Sequence, residues 1–182
     1  QELDAYKVEK DKFEQSLRTL PLRYEQVVDE IFVQLGGFSF QERAMNEFLR
    51  LCWDRSHHRN WRSDQYEEEF EIKNDVLRLT GSWVYCDENK WMSNPVPEYK
   101  PSQSLTTILD ALVHYEVGKF KGGAQWFPEL FKYDTQENQF EIAYMSKIKN
   151  IKLFKNGRVD IKFRSAAFVQ EFVEQYLRRN PA

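Results

Sequence analysis

The sequence predicts an α+β fold: an N-terminal helical hairpin, then an antiparallel sheet built from hairpins, with helices packed on it. Three observations carry that expectation. Near the C-terminus, Asn150 to Phe163 alternates apolar and polar residues about Asn156-Gly157, the pattern of a half-buried β-hairpin. Residues 70–79 repeat the pattern about Asn74-Asp75. Other segments place apolar residues three and four apart, the helical spacing. Helices, a strand cluster, a helix, a hairpin and a helix is the order of an α+β domain with antiparallel sheet.

The first two helices come from residues 2–35. Leu3, Tyr6, Phe13, Leu17 and Leu20 share one stripe. Pro21 suits the first turn of a second helix, where Tyr24, Val27, Val28, Ile31 and Leu35 keep helical spacing up to Gly36-Gly37. Residues 1–38 are therefore expected as a helical hairpin arm, and 39–182 as the α+β domain. A third helix opens with the capping box Ser39-x-x-Glu42. It turns Phe40, Ala44, Phe48 and Leu51 to one side and ends near Trp53-Asp54. The polar stretch from Arg55 to Ser63 reads as a loop.

Strands follow. A two-residue turn at Asn74-Asp75 sets Ile72 opposite Leu77 and Phe70 opposite Leu79, which keeps the faces in phase. Trp83 to Cys86 reads as a third strand. Residues 87–103 hold three prolines and read as loop. Ser104 is the expected cap of a helix from Leu105 to Glu116, with Leu105, Ile108, Leu109, Leu112 and Val113 as its stripe and Gly118 as its stop. Residues 118–138 look irregular, and Phe140 to Tyr144 is a short strand joining the C-terminal hairpin.

That hairpin fixes its own register. A two-residue turn at Asn156-Gly157 puts Lys152 opposite Ile161 and mixes the faces. A three-residue loop, Lys155 to Gly157, pairs Leu153 with Val159 and Ile151 with Ile161. It also places Gly157 where left-handed backbone is needed. The three-residue loop is expected, with Lys152, Asp160 and Lys162 on the outer face. The last helix starts at Ser165 and is lined by Phe168, Val169, Phe172, Val173, Tyr176 and Leu177, with Arg178-Arg179 at its C-terminal end.

Bulk properties narrow the function classes. The 182 residues suffice for one proper core. Net charge is −3, which does not advertise a polyanion partner, while 15% aromatic content suggests a rich core or stacking surfaces. Two cysteines, Cys52 and Cys86, argue against a disulfide framework and for a reducing compartment. The opening Gln1-Glu-Leu-Asp lacks a signal-peptide core, and no apolar run approaches a membrane span. A cytoplasmic protein without cofactor is expected.

Four constellations could carry chemistry. Arg55, Arg59 and Arg62 could neutralise phosphate, with His57 and His58 beside them and Trp61 able to stack on a base. The acidic run Glu67-Glu68-Glu69 follows at once and could instead meet a basic partner. Cys52, His57, His58, Cys86 and His114 are the available zinc ligands, but their spacing matches no close-set ligand pair, and a polar surface loop is the favoured reading. Asp160-Ile-Lys162 and Glu71-Ile-Lys73 match the Asp/Glu-x-Lys tripeptide of Mg²⁺-dependent nucleases, a pattern also common on the wet faces of strands. Nothing resembles a Ser/His/Asp or Cys/His nucleophile set.

Three segments carry a resemblance: Phe70 to Gly81 with the aromatics of Trp83 to Trp91, Leu105 to Lys119, and Phe154 to Phe163 with its following helix. In this order they resemble an uncharacterised bacterial and phage domain-of-unknown-function family. Its members are often fused to, or encoded beside, adenine-specific DNA methyltransferases on mobile elements. The resemblance spans roughly residues 40–178. It implies a mobile-element setting and a DNA-related partner, and it carries over no catalytic residue.

The expected function is thus a non-enzymatic mobile-element or phage module acting in DNA modification, restriction or counter-defence. It would bind nucleic acid or a nucleic-acid-processing protein. The alternatives are an inhibitor of a host defence complex that uses the acidic run, of the anti-CRISPR or anti-restriction type, and the Mg²⁺-dependent nuclease.

Overall fold

Antiparallel hairpins build the sheet that organises this chain. The computed structural model describes residues 39–88, 97–120, 122–132 and 137–180, with Lys10, Lys12, Gln15, Val27, Val28, Ile31 and Val33 as single positions. Two compact units emerge, Gln1–Met45 and Asn46–Ala182. The expected helical hairpin over 2–35 lies outside the described residues, apart from those single positions, which are helical and exposed.

The described elements run α1 (Phe40–Ser56), β1 (His57–Asn60), β2 (Gln65–Glu68), β3 (Phe70–Lys73), β4 (Val76–Leu79), β5 (Val84–Glu88), β6 (Pro97–Pro101) and α2 (Gln103–Val117). After them come the short α3 (Gly123–Trp126), a 3₁₀ turn (Pro128–Phe131), β7 (Gln139–Glu141), β8 (Ile148–Leu153), β9 (Val159–Phe163) and α4 (Ala166–Phe172), which continues as a π turn over Val173–Leu177. Five strands form one antiparallel sheet in the order β3-β4-β9-β8-β7. Two separate ribbons, β1-β2 and β5-β6, complete the strands. The fold is α+β.

The C-terminal hairpin has the expected register. Leu153 pairs with Val159 and Ile151 with Ile161. Gly157 takes φ +86°, its N–H donates to the Phe154 carbonyl at 3.0 Å, and its carbonyl accepts from Trp83 N–H at 3.0 Å. The first hairpin also matches: Phe70 opposes Leu79 and Ile72 opposes Leu77, with Asn74 at φ 56° in the turn. Alternation then sends Leu77, Leu79, Ile151, Leu153, Val159, Ile161 and Phe163 to one face, where all are fully buried. Each such side chain contributes about 1.5–3 kcal/mol of transfer free energy, against about 0–1 kcal/mol for an exposed ion pair. The apolar face therefore decides the fold. Helix α4 covers it, with Phe163 and Phe172 ring centroids 5.7 Å apart. Helix α2 packs on α4 in turn: the Tyr115 hydroxyl donates to Glu171 at 2.6 Å, and its ring lies 5.6 Å from that of Phe172.

Four expectations are corrected. The stretch from Arg55 to Ser63 is not a loop: α1 runs to Ser56, and His57–Asn60 pairs with Gln65–Glu68 as a hairpin. Asp64, at φ 56°, supplies the left-handed turn residue. Residues 87–103 are not wholly loop, because Pro97–Pro101 is a strand paired with β5. Its prolines sit at the strand ends, in a two-stranded ribbon, where a missing N–H is tolerated, and Tyr99 between them is buried. The cap of α2 is Ser102 rather than Ser104. Its Oγ accepts from Leu105 N–H at 3.1 Å while its own N–H donates to the Trp83 carbonyl at 3.0 Å, so the ribbon ends and the helix starts on one residue. Finally, α1 keeps the capping box between Ser39 and Glu42 but buries Leu49, Cys52 and Ser56, whereas Phe40 and Leu51 are exposed. Two apolar stripes overlap on this helix. Ser56 joins the buried one because its hydroxyl donates to the Trp53 carbonyl at 3.2 Å.

Candidate functional site

The β1–β2 hairpin gathers most of the residues singled out in the sequence. Its register sets His57 against Glu68, His58 against Glu67, Arg59 against Tyr66 and Asn60 against Gln65. Basic and acidic runs that are separate in sequence therefore become cross-strand partners. His58 lies 3.4 Å from Glu67 and 3.5 Å from Glu69. Asn60 donates to Glu67 at 2.6 Å, and Arg59 Nε donates to Asp64 at 2.7 Å. Across residues 55–69, three arginines meet four carboxylates.

One face of the hairpin is anchored by aromatic stacking. His57 stacks on Trp53 with centroids 4.5 Å apart and planes 17° apart, and Tyr66 lies 4.7 Å from Trp53 on a tilt. His57 Nδ1 sits 3.0 Å from the Trp53 carbonyl, so this imidazole is part of the α1–β1 joint. A second anchor comes from the far end of the chain. Arg178, just past α4, donates to Glu68 at 2.8 and 3.2 Å and to Glu174 at 2.7 Å. The Arg178 bonds hold the Glu68 carboxyl below the usual carboxylate range, against a smaller opposing effect of burial. Trp53 and Arg178 were read in the sequence only as helix-end residues, and Tyr66 was not singled out. The only local signal was Asp64, a residue that tolerates turn backbone, between two short polar runs.

The tip is different. Trp61 is 82% exposed, and the Arg62 guanidinium lies 5.0 Å from its ring centroid. Arg55, at the base, is exposed, and neither Arg55 nor Arg62 has a carboxylate partner among the described residues. The hairpin thus presents an unpacked tryptophan with a guanidinium on its face, held on strands whose His58, Arg59 and carboxylates are already paired.

The remaining constellations stand elsewhere. Glu71 and Asp160 share the outer face of the large sheet, but Arg78 on β4 lies in register between them. Arg78 is 3.2 Å from Asp160 and 3.9 Å from Glu71, while Arg158 adds a second cation 3.2 Å from Asp160. Lys73 pairs with Glu71, and Lys162 with Asp75. A guanidinium occupies the space between the carboxylates that a nuclease metal would fill. The possible zinc ligands are dispersed over α1, β1, β5 and α2, and among the described residues no three His, Cys, Asp or Glu side chains gather as a metal set. Burial, with Asp110 adding to it, pushes the Cys52 thiol up to about 12, which leaves it a poor nucleophile or ligand. His114 Nδ1 is 2.7 Å from the Tyr176 hydroxyl. Among the described residues no helix is long and apolar enough to cross a membrane.

No protein-family profile, curated protein sequence or solved structure matches this chain.

Proposed function

We propose that this chain is a non-enzymatic module of a phage or other mobile element, acting in DNA modification, restriction or counter-defence. It does so by binding a nucleic-acid-processing protein through the β1–β2 hairpin. The observation that supports this reading is the tip, an 82% exposed Trp61 capped by Arg62. Tryptophan, tyrosine and arginine dominate the energetics of protein interfaces, and an unpacked tryptophan gains most when a partner buries it. The mobile-element setting rests on the resemblance of residues 40–178. Carboxylates within the hairpin offset its arginines, which favours short-range docking over long-range attraction to a polyanion. A photo-crosslinking residue placed at Trp61 in a bacterial host is expected to trap a protein adduct, while one at exposed Lys149 on β8 traps none. Adducts of equal yield at both positions contradict the reading.

A second reading has its own support. The Trp61–Arg62 pair is also a stacking platform for an unpaired base, with Arg55 reaching a phosphate. Single-stranded DNA or RNA then binds with an affinity that falls as salt rises and is lost in Trp61→Ala. Binding that ignores salt, or no binding, removes it.

A further inference from the structure

The outer face of the five-stranded sheet, opposite the one that α4 covers, sets a single carboxylate among cations. Asp160 stands on the middle strand, β9. Arg78 on β4 and Lys152 on β8 are its register partners on either side, each about 4.8 Å away in strand spacing. Arg158 and Lys162 lie two residues before and two residues after it, and so on the same face.

One carboxylate does not satisfy four cations. Arg78 takes both of its oxygens, with Nε 3.2 Å from Oδ1 and a second nitrogen 3.5 Å from Oδ2. Arg158 Nε lies 3.2 Å from Oδ1 yet is left buried without a hydrogen-bond acceptor. Lys152 has no carboxylate partner among the described residues. It leans on the Phe154 ring, 5.4 Å from the centroid, and Arg158 covers the same ring at 3.7 Å. Phe154 thus gathers two under-satisfied cations from neighbouring strands. The surrounding carboxylates are engaged elsewhere: Glu71 with Lys73 at 3.4 Å, Asp75 with Lys162 at 3.5 Å, and Glu141 as acceptor from Asn150 at 3.2 Å.

We infer that this face binds the phosphodiester backbone of a nucleic-acid strand, with Lys152 and Arg158 as the leading contacts and Arg78 and Lys162 beside them. Guanidinium forks fit phosphate oxygens, and cations spread over three strands suit a ligand with repeated charge. A protein partner calls for an exposed apolar anchor, and none of the large exposed apolar side chains among the described residues lies on this face. A polyanion needs no such anchor, because counterion release supplies its affinity. Arg158 already covers the Phe154 ring, so the contact is to backbone rather than to stacked bases and carries no sequence preference. The existing pairs are no obstacle: Lys162 and Asp75 are 39% and 33% exposed, and pairs so exposed hold weakly. With a net charge of −3 on the whole chain, the binding is modest and sensitive to salt. This surface is separate from the hairpin tip and does not rest on the reading of it.

The test is fluorescence anisotropy of the full chain with a labelled oligothymidylate, an oligouridylate and a short DNA duplex. Binding is expected at low salt, with the logarithm of affinity falling by about 0.7 per neutralised phosphate per logarithm of salt on a single strand. Lys152→Gln and Lys162→Gln, both at half-exposed positions, should each weaken binding about threefold or more and lower that slope. Lys100→Gln on the β5–β6 ribbon, an equal loss of charge, should change neither. Asp160→Asn removes the central carboxylate and should tighten binding about threefold, a direction that damage to the fold does not produce. The probe held most tightly identifies the form of strand. Absence of binding at low salt overturns the inference, as do full binding by Lys152→Gln and weaker binding by a folded Asp160→Asn chain. Poly-glutamate competing as well as the oligonucleotide assigns the face to acidic peptides instead and overturns it too. Binding lost in Trp61→Ala but kept in Lys152→Gln places the strand at the hairpin tip, with the same consequence.

Discussion

At the scale of single residues, Gly157 joins the two parts of the sheet architecture. It closes the β8–β9 loop at φ +86°, and its carbonyl accepts the N–H groups of Trp83 at 3.0 Å and Val84 at 3.2 Å. A Cβ there would lie 3.2 Å from the Ser82 Cα. Gly157→Ala is expected to destabilise the chain by about 1–3 kcal/mol, through left-handed strain and crowding, as read by urea denaturation. His114 supplies a pH dependence. Burial holds its imidazole below the ordinary value of 6.5, so the folded chain keeps it neutral while the unfolded chain protonates nearer 6.5. The Tyr176 hydroxyl, pushed up to about 12 by burial first and then by Cys52 and Glu171, remains a proton donor to it. The corresponding stability is full above pH 6.5 and is lost as pH falls through the lowered folded value. Thermal melts of wild type and His114→Gln between pH 5 and 7.5 should converge in slope above neutrality and separate below it, with the wild type losing more. These residue features were unevenly legible. Gly157 could be read from phase alone, because only one loop length keeps Ile151, Leu153, Val159 and Ile161 on one face. The His114–Tyr176 pair could not, since it joins residues 62 positions apart through tertiary packing.

At the scale of elements, strand phase was the dependable signal. Hairpins β3–β4 and β8–β9 have one buried face, so a one-residue slip would expose every apolar side chain. The β1–β2 hairpin has no such face. Its two strands are exposed or half-exposed throughout, so periodicity carried no information, and stacking on Trp53 with the Arg178–Glu68 bonds holds it instead. The cap of α2 was misplaced by two residues because Ser102 and Ser104 are equivalent by type. Only the Trp83–Ser102 backbone bond, formed at the end of the β5–β6 ribbon, selects the first. Ser102→Ala is therefore expected to cost about 1 kcal/mol, while Ser104→Ala leaves stability nearly unchanged, as measured by paired denaturant titrations. A larger cost at Ser104 than at Ser102 would return the cap to Ser104.

At the scale of the whole molecule, the buried sheet core carries stability, and the exposed hairpin tip carries the proposed recognition. The core residues are fully buried and fix the fold, whereas Trp61 adds little to stability at 82% exposure. Substituting the tip should therefore leave the melting temperature unchanged while weakening partner binding by about thirtyfold or more, the loss typical of an interface hot spot. The candidate residues were legible by type, but their roles were not. Stacking on Trp53 makes His57 a structural joint, while cross-strand pairing sets His58 between two carboxylates, and that pairing depends on a turn at Asp64 that composition alone does not reveal. The most direct measurement is affinity capture from a bacterial host, with and without nuclease, using wild type and the Trp61→Ala/Arg62→Ala variant side by side. The account predicts a stoichiometric protein partner that survives nuclease and is lost with the variant. Retention of that partner by the variant, or recovery that vanishes with nuclease, would contradict it.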